Sequence, residues 1–262
     1  VQSNLADYPR PDSSSPSALL QSSDFDYLGA FRLPGNDVRP LTFEYGGSAM
    51  TFNPDGDPAG PADGFPGSLF IAGHDRLPYG GLPDGSQIAE ISIPLPVVSN
   101  NLDDLNYGSF VQDFHDVFQG WFTHLEELPR MALQYLDKPE TGPRVHAAWG
   151  AHYQSESPRD TSHIWFNPDL ASPQIRGPWY IGGEEPYYVN GYLLEIPESW
   201  ADLHVTSQYL GTGRFRDGGW SGMGPNLFSY LPWIDASGTP APADSALPHT
   251  PLISYADSFG ND

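Results

Sequence analysis

The stretch QIAEISIP at 87–94 is a short run of β-branched and apolar residues that ends in Ile-Pro, and SLFIAGH at 68–74 precedes it. Both runs are rich in residues that strands favour, and a segment of Gly, Pro and Asp separates them. A similar pair, GPWYIGG at 177–183 and NGYLLEIP at 190–197, follows about a hundred residues later in the same order. This recurrence predicts an all-β protein built from repeated antiparallel strand modules.

Other segments extend the repeat. YLGAFR at 27–32 resembles YLGTGR at 209–214, and a Gly-Gly step with a small-residue strand follows each. Such modules are typical of a β-propeller, which closes its sheets radially and so limits exposed strand edges. The units recur at about twice the ~40–50 residues of known blades, so either each unit holds two blades or the blades carry long insertions. A β-sandwich is the alternative.

The repeat also predicts the domain organisation. Residues 1–24 are rich in Ser and Pro and form a predicted extended leader, and residues 25–262 form a single propeller-like domain. Its units lie at about 27–100, 144–204 and 209–262, with an insertion at 101–143. The last unit breaks off, which indicates an incomplete propeller and a missing C-terminal portion.

One segment of the insertion departs from the β pattern. Between Leu105 and Phe122, apolar residues recur at helical spacing, and Asn and Asp residues suited to an N-cap precede them. The spacing predicts one inserted amphipathic helix packed across the sheets, with a lid or partner-docking helix as the alternative.

Composition excludes several classes of function. The chain has 33 acidic and 11 basic residues, a formal charge of −22 and a pI near 4.3, so a polyanion such as nucleic acid would be repelled. Lys138 is the single lysine and the other basic residues are arginines, which suit fixed bidentate contacts. The absence of cysteine excludes disulfides, thiolate metal sites and cysteine nucleophiles. No apolar run approaches the ~18 residues of a membrane helix, so no transmembrane segment is predicted.

As a set, several strings resemble a group of exported bacterial proteins that are predicted to be propeller-like. They are FEYGGSAMTFNP, GSLFIAGHD, IAEISIP, GPWYIGG and GRFRDGGWSGMGPNLFSY, and the likeness runs from about Tyr27 to Tyr255. The resemblance implies a β fold and a secreted or cell-surface setting in the bacterial envelope. It implies no particular reaction.

Polar residues at strand ends are the candidates for ligand binding, because propellers bind ligands at one mouth of their central channel. His74 and Asp75 directly follow SLFIAG and would bring an imidazole and a carboxylate to one rim. A second group follows YLGTG, where alternation places Arg214 and Arg216 on one side of a strand, next to Asp217 and Trp220. Arginine binds sugar hydroxyls or carboxylates and tryptophan stacks on apolar sugar faces. The structural alternatives are loop hydrogen bonds for the first pair and a salt bridge beside a core tryptophan for the second group.

The string HAAWGAHY at 146–153 provides another candidate. In a strand, His146 and His152 would point to the same face and Trp149 to the opposite one, in the core. His152 could then face a channel, and two histidines on one face could ligate a transition metal if a carboxylate joined them from elsewhere.

An acidic loop suggests calcium. Asp55, Asp57 and Asp63 lie in NPDGDPAGPADG at 53–64 and offer hard oxygen ligands, although the loop lacks the EF-hand pattern. A solvated acidic turn is the alternative. The chain has no nucleotide-binding glycine motif, no G-x-S-x-G and no H-E-x-x-H, so no nucleotide or redox cofactor is expected.

These observations leave three hypotheses about function. The first is an exported protein that binds a carbohydrate or other polar ligand at a channel rim formed by His74, Asp75, His152, Arg214, Arg216, Asp217 and Trp220. The second is a cell-surface structural protein that self-assembles and is stabilised by divalent cations. The third is a polysaccharide hydrolase or lyase that uses a histidine and a carboxylate of the same rim. The sequence does not exclude a carboxylate pair for glycoside cleavage, because the spacing of such a pair depends on the fold.

Overall fold

Three β-sheets and one α-helix form the described part of the chain. The computed structural model describes residues 21–35, 38, 41–44, 46–47, 49–58, 60, 64–73, 87–118, 121, 130–150, 160–214 and 225–254. Strands dominate these residues, so the predicted all-β class is confirmed. Of the predicted leader, residues 21–24 are described, and Ser22–Asp24 forms an exposed 3-10 turn.

The first sheet is a four-stranded antiparallel meander in chain order. Its short strands end at Gly, Pro or Asp residues, as the turn signals in the sequence predict. The strands are β1 (Met50–Asn53), β2 (Gly64–Ala72), β3 (Gln87–Pro94) and β4 (Phe110–Asp116).

The second sheet repeats this arrangement and gains a fifth strand from a distant part of the chain. Strands β5 (Arg130–Lys138), β6 (Gly142–Gly150), β7 (His163–Phe166) and β8 (Arg176–Ile181) form an antiparallel meander. The late strand β12 (Ala246–Leu247) then pairs with β8 in parallel. This pairing ties the second sheet to the segment between the last two strands of the third.

The third sheet is again antiparallel, with the order β13-β11-β10-β9. Its members are β9 (Tyr192–Glu195), β10 (Leu210–Arg214), β11 (Asn226–Tyr230) and β13 (His249–Ile253). The helix α1 (Glu198–His204) lies between β9 and β10, and two further 3-10 turns lie at Leu102–Asp104 and Pro186–Tyr188.

The sheets pack face to face, with the second in the middle. One core lies between the first and second sheets and includes Phe70, Phe118 and Trp149. The other lies between the second and third sheets and includes Trp179 and Tyr230. The first strand of each sheet is adjacent to the first strand of the next, because β5 contacts β1 on one side and β9 on the other.

The single lysine fastens two of these first strands together. Lys138 ends β5, its side chain is only 5% exposed, and its Nζ lies 2.8 Å from Glu195 Oε1 and 2.9 Å from Glu198 Oε1. The ammonium also lies over the Tyr209 ring, 4.9 Å from its centroid. Burial lowers the pKa of Lys138, but the two carboxylates outweigh it and the net pKa is raised, so the amine stays charged.

The predicted helix within Leu105–Phe122 is wrong, because Phe110–Asp116 is strand β4 and pairs with β3. Irregularities in this pairing add residues to β4 between the partners of Ile88 and Ile91. A bulge changes the face to which the following side chains point. Gln112 consequently reaches Glu90, whereas Phe110 and Phe114 pack against Phe43. Apolar spacing of four residues arises here from bulges and not from helical turns.

The strings that look alike do not occupy equivalent strands. Residues 68–72 of SLFIAGH lie in the second strand of the first sheet, whereas residues 177–181 of GPWYIGG lie in the fourth strand of the second. Residues 210–214 of YLGTGR form β10, but Tyr27–Arg32 forms only isolated bridges, from Ala30 to Val97 and from Arg32 to Tyr107. The sheets therefore begin at Met50, Arg130 and Tyr192, and β9, the NGYLLEIP strand, opens the third sheet.

Candidate ligand-binding edge

Equivalent strands of the three sheets run in the same direction, so their ends lie on common sides of the molecule. Here an edge means the side of a sheet that is formed by strand ends, not an edge strand. At one edge, the Phe118 ring packs against Trp149 with centroids 5.6 Å apart. At the same edge, a methyl group on Gly150 would lie 2.6 Å from Asn190 Nδ2. At the other edge, Gln112 Nε2 donates to the Pro168 carbonyl at 2.8 Å. Contacts of Lys138 with Glu195 close that same edge between the second and third sheets.

We call the first of these the shared edge, defined by the ends of β2, β6 and β10 at Ala72, Gly150 and Arg214. The other is the opposite edge. The shared orientation means that the connection from the second to the third strand begins and ends at the shared edge in every sheet.

The predicted ligand residues belong to these three connections. His74 and Asp75 follow β2, His152 follows β6, and Arg216, Asp217 and Trp220 follow β10. All six lie outside the described residues. Their positions in the chain correspond from sheet to sheet, which the sequence repeats did not reveal.

Arg214 is the described member of the predicted rim, and it lies at the shared edge. It ends β10, it is buried, and its backbone N–H donates to Asn226 Oδ1 at 2.8 Å. By alternation it shares a face with Thr212, whose hydroxyl lies 3.0 Å from His163 Nε2 in the second sheet. The Arg214 side chain is therefore on the side of β10 that faces the second sheet.

Two residues before Arg214 in β10, Thr212 belongs to a group of buried polar side chains that connects the second and third sheets. The Thr212 hydroxyl donates to the Val189 carbonyl at 2.5 Å, so it must accept from His163 Nε2. His163 Nδ1 then accepts from the Ser162 hydroxyl at 2.8 Å. These bonds fix the neutral tautomer. Burial lowers the pKa of His163 to about 3, and coulombic repulsion from a protonated His146 acts in the same direction.

His146 lies in the core and not at a surface. Its ring packs edge-on against Trp165, with centroids 5.5 Å apart, and is tilted against Trp233 at 6.4 Å. Neither ring nitrogen has a hydrogen-bond partner among the described residues, and the same is true of Trp165 Nε1. Burial, followed by the charge of Arg144, lowers the pKa of His146 to about 3. The prediction that Trp149 lies on the opposite face, in the core, is confirmed.

A second buried polar cluster was not recognised in the sequence. Glu90 is buried in β3 and accepts from Asn53 Nδ2 at 3.0 Å, from the Ser68 hydroxyl, and from Gln112 Nε2 at 2.5 Å. These donors satisfy both carboxylate oxygens, so the cluster joins β1, β2 and β4 around β3. In the sequence, only the acidic residue within the run QIAEISIP indicated this cluster.

The proposed calcium loop begins at the opposite edge. Asp55 and Asp57 lie in the turn after β1, where the Asp55 backbone N–H donates to Asn53 Oδ1 at 3.2 Å. Asp63 lies outside the described residues. Among the residues that the structure describes, no three His, Asp or Glu side chains are grouped so that they could hold a metal ion. The calcium loop and the histidine metal site stay predictions.

Comparisons with family models, with curated proteins and with solved structures give no match for this chain. Within the described ranges, no helix is long and apolar enough to span a membrane.

Proposed function

We propose that this chain is an exported, propeller-like protein that binds a carbohydrate or other polar ligand at the shared edge. The radial part of this proposal is supported by the adjacent first strands β1, β5 and β9, from which each sheet continues strand by strand in chain order. Propeller blades are four-stranded sheets arranged in this way around a central axis. The exported setting is supported by the sequence resemblance.

The observation that most strongly supports the binding site is the common location of three equivalent connections. Each leaves the second strand of its sheet at the shared edge, and together they contain His74, Asp75, His152, Arg216, Asp217 and Trp220. Stacked sheets lie about 10 Å apart, so the strand ends from which neighbouring connections leave are within the span of one oligosaccharide. Arg214 lies at the base of the third connection.

The residue types of this rim suit recognition of a polyhydroxylated ligand. Guanidinium groups donate paired hydrogen bonds to hydroxyl or carboxylate oxygens, and an indole provides an apolar face for a sugar ring. Binding requires only these contacts, whereas catalysis would also require an acid and a base in fixed geometry. Binding is for this reason the function that we propose.

Replacing Arg216 with Ala is expected to weaken glycan binding about tenfold or more, because a charge-assisted hydrogen bond to the ligand is lost. A glycan array would identify the ligand, and calorimetric titration would compare the variant with wild type. Arg176 is the matched control, because this exposed arginine lies at the start of β8, at the opposite edge. Arg176→Ala should bind as wild type does. The proposal is wrong if no glycan binds or if Arg216→Ala binds with unchanged affinity.

A further inference from the structure

A pocket lies at the opposite edge of the first sheet, away from the proposed rim. It has a volume of about 300 Å³ and lies where β3 ends and β4 begins. Its walls combine small polar groups, an aliphatic side and one aromatic ring. The lining residues are Ser92, Pro94, Leu95, Asn106, Tyr107 and Ser109.

The aromatic wall of the pocket is Tyr107, whose ring packs against Arg32. Tyr107 is 51% exposed, and the Arg32 guanidinium lies over its ring, 4.5 Å from the centroid. Tyr107 lines the pocket, and Arg32 is not one of its lining residues. Backbone bonds fix Arg32 here, because its N–H donates to Asn106 and its carbonyl accepts from Gly108.

The polar wall is also fixed. Ser92 Oγ accepts the Ser109 N–H at 2.9 Å, and Asn106 Nδ2 donates to the Leu95 carbonyl at 2.8 Å. A side chain on Gly108 would approach the Ser92 carbonyl to 2.9 Å, so this close backbone contact requires glycine. Hydroxyl and amide oxygens therefore stand in fixed positions beside an aromatic ring, with little to be ordered when a ligand binds.

We propose that this pocket binds one neutral pyranose unit. The apolar face of the sugar packs on Tyr107, with Pro94 and Leu95 as the aliphatic side, and its hydroxyls bond to Ser109 and Asn106. Aromatic rings provide such faces at low entropic cost. An anionic sugar is disfavoured, because the chain carries a net charge of −22 and Arg32 already faces Asp103, with Nη1 3.9 Å from Oδ1.

The test uses two probes that differ only at carbon 6, methyl β-D-glucopyranoside and methyl β-D-glucuronide, observed by saturation-transfer and ¹⁵N shift-perturbation NMR. The neutral glucoside should bind with a dissociation constant of about a millimolar, which is typical of a ligand of this size. Shifts should be confined to 92–109 and Arg32. The glucuronide should bind more weakly at low salt, and added salt should narrow the difference.

Variants separate this pocket from the proposed rim. Tyr107→Ala should weaken glucoside binding about tenfold, whereas Tyr107→Phe keeps the ring and should bind within about twofold of wild type. The shifts at 92–109 and Arg32 report this pocket alone, so failure here and failure of the rim proposal are distinguishable. The inference is overturned if the glucoside does not bind, if Tyr107→Ala binds it as wild type does, or if the glucuronide is preferred.

Discussion

Wild-type protein is expected to lose stability as the pH falls below about 6.5, and replacing His146 with Leu is expected to remove a large part of that loss. His146 and His163 are fully buried, and both have a pKa of about 3 instead of the ordinary 6.5. Between these values the unfolded chain binds two protons that the native protein does not. Stability therefore rises with pH in this window, by up to about 1.4 kcal/mol per pH unit for each histidine.

His146 is the histidine to replace, because its ring nitrogens make no hydrogen bond in the described structure. A buried polar group without partners reduces stability, so His146→Leu should be at least as stable as wild type at pH 7.5. Its advantage should grow by about 2 kcal/mol by pH 5. Urea unfolding at a series of pH values measures both quantities.

The acidic residues of the chain also contribute to the pH dependence of stability. Protonating some of the 33 acids reduces self-repulsion in a chain of charge −22, which favours the compact state. This contribution is common to both proteins and cancels in their difference. A difference that stays constant between pH 7.5 and pH 5 would show that His146 is not held neutral by burial.

Replacing Gly213 with Ala is expected to destabilise the protein by about 3 kcal/mol or more, because the third sheet has no room for a side chain there. A Cβ at this position of β10 would overlap the Asn226 carbonyl oxygen and lie 2.6 Å from the Tyr192 hydroxyl. The same tyrosine donates a hydrogen bond to that carbonyl. The substitution thus disturbs the pairing of β10 with both β9 and β11.

Gly183 provides the matched control. A Cβ at Gly183 would have no neighbour within 4 Å, and its φ lies outside the left-handed region. Gly183→Ala should leave the unfolding free energy unchanged or raise it slightly, because alanine restricts the unfolded chain. Thermal or urea unfolding of both variants measures the contrast, and equal stabilities would contradict the described packing of β10.

The sequence was sufficient for the fold class and for individual strands, but not for their arrangement. Short β-branched runs between turn residues correctly predicted β2, β3 and β9. The similarity between NGYLLEIP and QIAEISIP nevertheless predicted that they are equivalent strands, whereas one is the first strand of the third sheet and the other is the third strand of the first sheet. Both strings meet the same local requirements of a buried strand, but neither specifies which strands will pair with it.

For the candidate site too, the sequence predicted local features but not the contacts between distant segments. Alternation placed Trp149 and His146 on opposite faces of β6, since this follows from the pleat alone. It could not show that His146 is enclosed by Trp165 and Trp233, because these residues come from other strands and loops. Nor could it show that Lys138 lies between two glutamates some sixty positions away in the chain.

Pairwise spin-label distances test most directly whether the connections converge at the shared edge. The chain has no cysteine, so pairs of cysteines introduced at positions 74 and 152 or at 152 and 216 can be labelled selectively, with the pair at 152 and 169 as the control because Asp169 lies at the opposite edge. Sheet spacings of about 10 Å predict that the 74–152 and 152–216 distances are short. The 152–169 distance should be longer by about 10 Å or more, because it spans the length of β6. Either of the first two distances equal to or longer than the control would contradict the shared edge and the ligand site proposed there.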